Sequence, residues 1–289
     1  MQIKQWFCLI TLSLNLLFLT TKAWALEQSP PRLISLAPHL TEMVYDLELQ
    51  QQLVAVDAYS NYPAAAKKLP RIGSGLEPNQ ELLLRYGADI LLSYSSSVSI
   101  EKIARKLGMR LWISQPQSVP ALFADWRQLL ALAQTDPQKA ALIEDKIQQL
   151  EMAWREMTAT YASRQGKSVF FLIAEQPLYS ISDQSFLSAA LKGCQAENIF
   201  ADIKQSSFLV DPEALLVKRP EFIIHGYRSD QANGKQRAQA AALARLQKLG
   251  LTVQAEQLIS VDVDILHRPS LRFIHTLPSI CAALHKATH

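Results

Sequence analysis

The chain has 289 residues, 29 basic against 26 acidic, and 49% of them are hydrophobic. That is enough apolar side chain for two proper cores, which excludes a disordered chain, and the near-even charge with no basic block excludes a nucleic-acid surface. Three cysteines are too few for a disulfide-dense miniature scaffold.

At the N-terminus Lys4 precedes an apolar stretch from Trp6 to Thr20, and Ala23-Trp24-Ala25 is a small-x-small cleavage site. This pattern is a secretory signal over residues 1–25, too short for a permanent membrane anchor. Cys8 lies inside it with no lipobox-like setting, which argues against a lipoprotein. The expected mature chain, Leu26 to His289, is exported and soluble, with 27 basic and 26 acidic residues once Lys4 and Lys22 are gone. Cys194 and Cys281 remain. An even pair in an oxidising compartment favours one bridge, two buried free thiols being the alternative.

Short apolar runs then alternate with helical patterns. Strands are expected at 32–36, 53–56, 90–92 and 111–113, with helices at 42–49, 64–69, 79–86, 100–107 and 121–133. This alternation means a parallel sheet with both faces covered. From Asp136 to Gly166 the chain has no internal glycine, and its only proline is Pro137, at the first helical position behind the Asp136 cap. About 28 residues make a helix of roughly 42 Å, with Gly166 as its left-handed stop. Ile143, Ile147, Leu150, Trp154, Met157 and Tyr161 form one narrow apolar stripe, the other face being charged. A dimerising coiled coil is one reading; a strut along the backs of two lobes fits its central position better. The strand–helix alternation resumes after it, with strands at 169–173, 222–224 and 258–261, helices at 185–191, 212–217 and 238–249, and a closing helix at 270–286 that Pro278 should kink. The expected organisation is a first α/β lobe at 26–135, a linker helix at 136–166 and a second α/β lobe at 167–289.

A weak internal repeat supports two related lobes. Glu81-Leu82-Leu83-Leu84 followed by Asp89-Ile90-Leu91-Leu92 matches Glu213-Ala214-Leu215-Leu216 followed by Glu221-Phe222-Ile223-Ile224 at a constant offset. Two such lobes joined once leave a cleft, and ligands of open α/β sheets bind beyond the carboxyl ends of the strands.

No nucleophile elbow, phosphate-binding loop, zinc-protease or paired-cysteine motif occurs, so no catalytic or metal chemistry is expected. The histidines are scattered, with His39 the only one in the first lobe. Aromatic and polar residues do collect at the predicted strand-to-helix loops: Tyr59, Tyr62 and Tyr94 in the first lobe, and Tyr179, Phe208, Asp264, His267 and Arg268 in the second. Such a set suits a large, flat, mostly neutral ligand that is held and released. Glu81 and Glu213 have two readings. In the first turn of a helix a carboxylate stabilises the dipole by about 0.3–1 kcal/mol; alternatively the two form a symmetric acidic pair that docks on arginines of a two-fold membrane partner.

The segments LISLAPHLTEMVY, VAVDAYSNYP, Asn79-Gln80-Glu81 before ADILL, GCQAENIF, PEALLVKRPEFII and SICAAL, in this order over some 250 residues, resemble the solute receptors of ABC importers that have a helical backbone linker. That group handles cobalamin, haem and iron–siderophore complexes, and the cobalamin receptors are the nearest likeness. The resemblance implies a two-lobe class III fold in the periplasm, a monomer that is not an enzyme, and delivery of the ligand to transmembrane permease subunits. It implies a Cys194–Cys281 bridge, permease docking through Glu81 and Glu213, and cleft roles for Tyr59, Tyr94, Tyr179, Phe208, Asp264 and Arg268. Two positions depart from the cobalamin receptors: Gly75 and Tyr94 stand where those receptors have cleft tryptophans. The LPRIGSG and YPAAAKKLP segments also resemble haem receptors, for which His39, Tyr59 or His267 would be the axial ligand.

Overall fold

The computed structural model describes residues 29–286, so the expected signal at 1–25 lies outside the described residues. The first lobe holds strands β1 (Leu33–Ser35), β2 (Leu53–Val56), β3 (Ile90–Ser93) and β4 (Arg110–Ile113), all parallel in the order β2-β1-β3-β4. Around them lie helices α1 (Pro38–Asp46), α2 (Gln80–Tyr86), α3 (Val98–Lys106) and α4 (Val119–Leu132). Helix α5 (Pro137–Tyr161) leads to the second lobe. There β5 (Lys167–Leu172), β8 (Ala196–Asn198), β10 (Phe222–Tyr227) and β11 (Leu258–Asp262) form a parallel sheet in the order β11-β10-β5-β8. A small antiparallel sheet of β6 (Ala174–Glu175), β7 (Leu178–Ile181) and β9 (Ser207–Leu209) stands beside it. The helices of this lobe are α6 (Phe186–Leu191), α7 (Pro212–Lys218), α8 (Gly234–Lys248), α9 (Val263–Leu266) and α10 (Leu271–Leu284).

The pleat of each strand explains why α5 holds the lobes together. Successive residues point to opposite faces. Leu33, Phe171 and Ile224 belong to one large core, while their neighbours Ile34, Phe170 and Ile223 belong to separate cores on the far faces. The large core is continuous across both lobes, and α5 contributes Ile143 and Ile147 to it, fully buried. Leu150, Trp154, Met157 and Tyr161 pack against it in the predicted stripe. Burying the two isoleucines alone stabilises this arrangement by roughly 3–6 kcal/mol. The charged side of α5 is tethered too. Arg127 of α4 donates to Glu144 at 2.9 Å and to Glu151 at 3.0 Å, and Lys139 donates to the backbone carbonyl of Glu48 at 2.6 Å.

Helix α5 differs from expectation at its end. It stops at Tyr161, 25 residues long, and Gly166 is not left-handed. The hydroxyls of Thr158 and Thr160 donate to the carbonyls of Arg155 and Glu156 at 2.8 and 2.9 Å, a competition that weakens the last turns. Gly166 is instead a close-approach position, where a Cβ would lie 2.0 Å from Glu197 Oε1. Helix α1 starts at Pro38, four residues before the expected start, because proline suits the first helical position. Helix α10 continues through Pro278. The Cys194–Cys281 bridge is present and ties α10 to the turn before β8, with the Met157 sulfur of α5 3.8 Å from Cys281 Sγ. The repeat is visible as well: Leu83 of α2 and Leu215 of α7 are the fully buried residues on the inner faces of matching seven-residue helices.

Candidate ligand-binding cleft

In the first lobe the loop 57–63 leaves the carboxyl end of β2 and carries Tyr59, Asn61 and Tyr62. It is pinned from below. The buried Asp57 carboxylate accepts from the Tyr59 N–H at 2.9 Å and from the Ser60 hydroxyl. The Ser60 and Thr41 hydroxyls lie 2.6 Å apart, and Thr41 donates to Ser35 at 2.9 Å. Arg71 donates to the carbonyls of Asp57 and Ser60 at 2.9 and 2.6 Å. A loop held at this many points presents its tyrosines with little freedom, and Tyr59 and Tyr62 stay exposed. Tyr94, just beyond β3, is also exposed, with the buried His39 ring edge-on to it at 5.2 Å. Burial, reinforced by the Arg268 charge, pushes the His39 pKa down to about 4 against a hydrogen bond to the Ser114 backbone. The imidazole is therefore neutral at neutral pH, and its Nε2 has no hydrogen-bond partner among the described residues.

In the second lobe Asp262 at the end of β11 caps α9, accepting from the Asp264 N–H at 2.8 Å. Asp264 accepts from Arg268 at 2.7 Å, four residues on. Tyr179 and Phe208 sit on neighbouring strands but not on one face. Tyr179 is opposite Leu209, and Ser180 is opposite Phe208. Paired residues share a face, so Phe208 turns away from Tyr179. Its ring packs against Phe200 at 5.4 Å in the lobe's own core, and Leu209 is the exposed apolar neighbour of Tyr179. Both residues lie on strands of the small sheet, not in the strand-to-helix loops expected for them.

The two edges meet through a polar network that sequence reasoning missed. Arg268 donates to Glu42 of α1 at 3.0 Å and to the Asn61 side chain at 2.7 Å, and Asn61 donates to Asp264 at 2.7 Å. Arg272 forks onto the same Glu42 carboxylate at 2.9 and 2.5 Å, with its guanidinium 4.0 Å from the centre of the Tyr62 ring. Glu42 and Arg272 carry no sequence signal because each lies inside a helical pattern and finds its partner more than 200 residues away. His267 lies at the end of α9, exposed and outside this network. No group of three or more metal-binding side chains occurs among the described residues.

Glu81 and Glu213 are exposed in the first turns of α2 and α7. The Asn79 side chain accepts from the Glu81 and Leu82 N–H groups at 3.0 and 3.1 Å, and Asp211 accepts from the Glu213 N–H at 3.0 Å. Each helix is followed directly by a strand of its sheet, so each glutamate lies toward the carboxyl edge of that sheet. A separate concavity of about 1580 Å³ runs along the free edge of β11, between α10 and the start of α8. It is lined by the second lobe and the end of the linker, with Arg164, Lys235, Gln239 and Gln257 among its charged and amide side chains and no residue of the first lobe. The exposed Tyr59, Tyr62 and Tyr94 lie outside this groove.

The family described as periplasmic binding protein matches residues 33–265. The vitamin B12-binding protein of Vibrio cholerae is 30% identical over 273 residues, covering 93% of this chain and 94% of that protein. The vitamin B12-binding protein of Pectobacterium carotovorum is 30% identical over 271 residues, covering 93% and 92%. Among solved structures, the periplasmic vitamin B12 binding protein BtuF of Vibrio cholerae superposes with a TM-score of 0.72 at 27% identity, over 88% of this chain and 97% of that one. The periplasmic haem binding protein HutB of the same organism reaches 0.68 at 19% identity, over 88% and 98%, a likeness of fold alone.

Proposed function

The chain belongs to the periplasmic binding protein family, and from that premise we propose that it captures cobalamin between its lobes and hands it to the transmembrane subunits of an ABC importer. Residues 26–135 and 167–289 act as the two lobes, with 136–166 as the linker. The observation that carries this reading is the pair of exposed tyrosines Tyr59 and Tyr94 on the first lobe, beside a loop whose Asn61 meets Asp264 and Arg268 of the second. Aromatic faces bury the flat apolar body of a corrin, while the aspartate and arginine hydrogen-bond the amides at its rim. Tyr179 adds an aromatic wall on the second lobe, and Phe208 supports that wall from inside. The ligand is bound and released unchanged, so no cofactor is used.

Glu81 and Glu213 serve as the paired docking points on permease arginines, where opposite charge sets orientation and association rate. The protein works as a monomer in the periplasm, having been exported through the signal at 1–25. Isothermal calorimetry of residues 26–289 against cyanocobalamin tests the reading. One site per chain with tight binding is expected, and absence of binding under conditions where the protein is folded rejects it.

A further inference from the structure

Glu42 is 1% exposed, yet it lies between two arginines of the other lobe. A carboxylate withdrawn from water this far is unfavourable unless charged donors satisfy it, and truncating one member of such a group leaves the others stranded. Arg272 takes both carboxylate oxygens through Nε and Nη2, and Arg268 adds a third donor. The same turn of α1 supports the tyrosine loop, because Thr41 is hydrogen-bonded to Ser60. One turn of one helix therefore touches both edges of the cleft.

Resting on the cobalamin reading above, we infer that Glu42 is the positioning residue of the cleft. It aims the Arg268 guanidinium that the ligand meets. Arg268 has only its remaining N–H groups free for a ligand, since Glu42, Asn61 and Asp264 occupy the others. Their direction is set by the plane of the guanidinium, and Glu42 is the fully buried one of the three partners that hold that plane. A residue that acts this way affects affinity through Arg268 and not by contact with the ligand.

The test is a double-mutant cycle on cyanocobalamin affinity, with melting curves recorded to establish that each variant is folded. Glu42→Gln keeps the shape and removes the charge; the expected loss is about tenfold or more in the wild-type background. In an Arg268→Ala background the same change is expected to alter affinity by about twofold or less, because the group it positions is gone. Glu42→Asp, which keeps the charge one methylene shorter, is expected to recover part of the loss, and it carries the test if the glutamine variant does not fold. Equal losses in both backgrounds, or no loss in the wild-type background, would overturn the role of Glu42 while leaving the receptor reading intact. Failure of the wild-type protein to bind cyanocobalamin overturns the receptor reading itself.

Discussion

Gly75 lies so close to the carbonyl oxygen of Leu36 that a Cβ at position 75 would sit 1.8 Å from it. Leu36 directly follows β1, so the 73–78 turn, closed by a bridge between Gly73 and Pro78, is pressed over the carboxyl edge of the first sheet. The obstacle is backbone, which cannot rotate aside as a side chain can. An indole at this position requires the whole turn to move. Gly75→Trp is therefore expected to lower stability by about 1–3 kcal/mol without improving cobalamin affinity. Thermal melting and calorimetry on the same preparation check both halves.

The Cys194–Cys281 bridge joins residues 87 apart and fixes α10 beside α5. Replacing both cysteines by serine removes that constraint from the unfolded chain, and the expected loss is on the order of 4 kcal/mol. Urea titrations of the oxidised protein and the double-serine variant give the difference directly.

The buried His39 and the half-buried Asp46 respond to acid in opposite directions. Burial, then the neighbouring Glu42 charge, pushes Asp46 up to about 7, against a hydrogen bond from the Leu271 backbone and the Arg272 charge. A carboxyl with a raised folded pKa destabilises the fold above that value and ceases to do so as pH falls toward 3.8. His39 is lowered to about 4 from 6.5, so its contribution is lost as pH falls through that interval. Asp46→Asn is expected to gain on the wild type as pH rises from 4 to 7, by up to roughly 4 kcal/mol. His39→Gln is expected to remove much of the acid-side decline between pH 6.5 and 4. Denaturant midpoints across pH 4 to 7.5 read both slopes.

Reversing both glutamates proposed for docking, Glu81→Lys with Glu213→Lys, is expected to leave cobalamin affinity unchanged, because both side chains are exposed in the first turns of α2 and α7. Uptake through the importer should fall to background. Proteoliposome transport of labelled cobalamin measures it, and transport surviving the double reversal counts against docking through this pair.

Much of the scaffold is readable in the chain because its signals are local. The apolar stripe of α5 appears as a 3–4 spacing, and β3 and β5 appear as runs such as Ile90-Leu91-Leu92 and Val169-Phe170-Phe171, buried on both faces. The small sheet of β6, β7 and β9 escaped notice because its strands are two to four residues long and are held by pairing across the chain. Phe208 illustrates the limit: its residue type suits a cleft wall, but the Ser180–Phe208 register turns it inward. Glu42 illustrates the same limit from the other side, since its partners Arg268 and Arg272 are 226 and 230 residues away.

Capture as proposed requires the ligand to lie between the lobes and not in the groove along β11. Amide hydrogen exchange with and without cyanocobalamin distinguishes the two places in one measurement. Slower exchange is expected in the 57–63 loop, around Tyr94, along β7 and in α9, with segments 235–239 and 276–286 unchanged. Protection confined to those last two segments would contradict capture between the lobes.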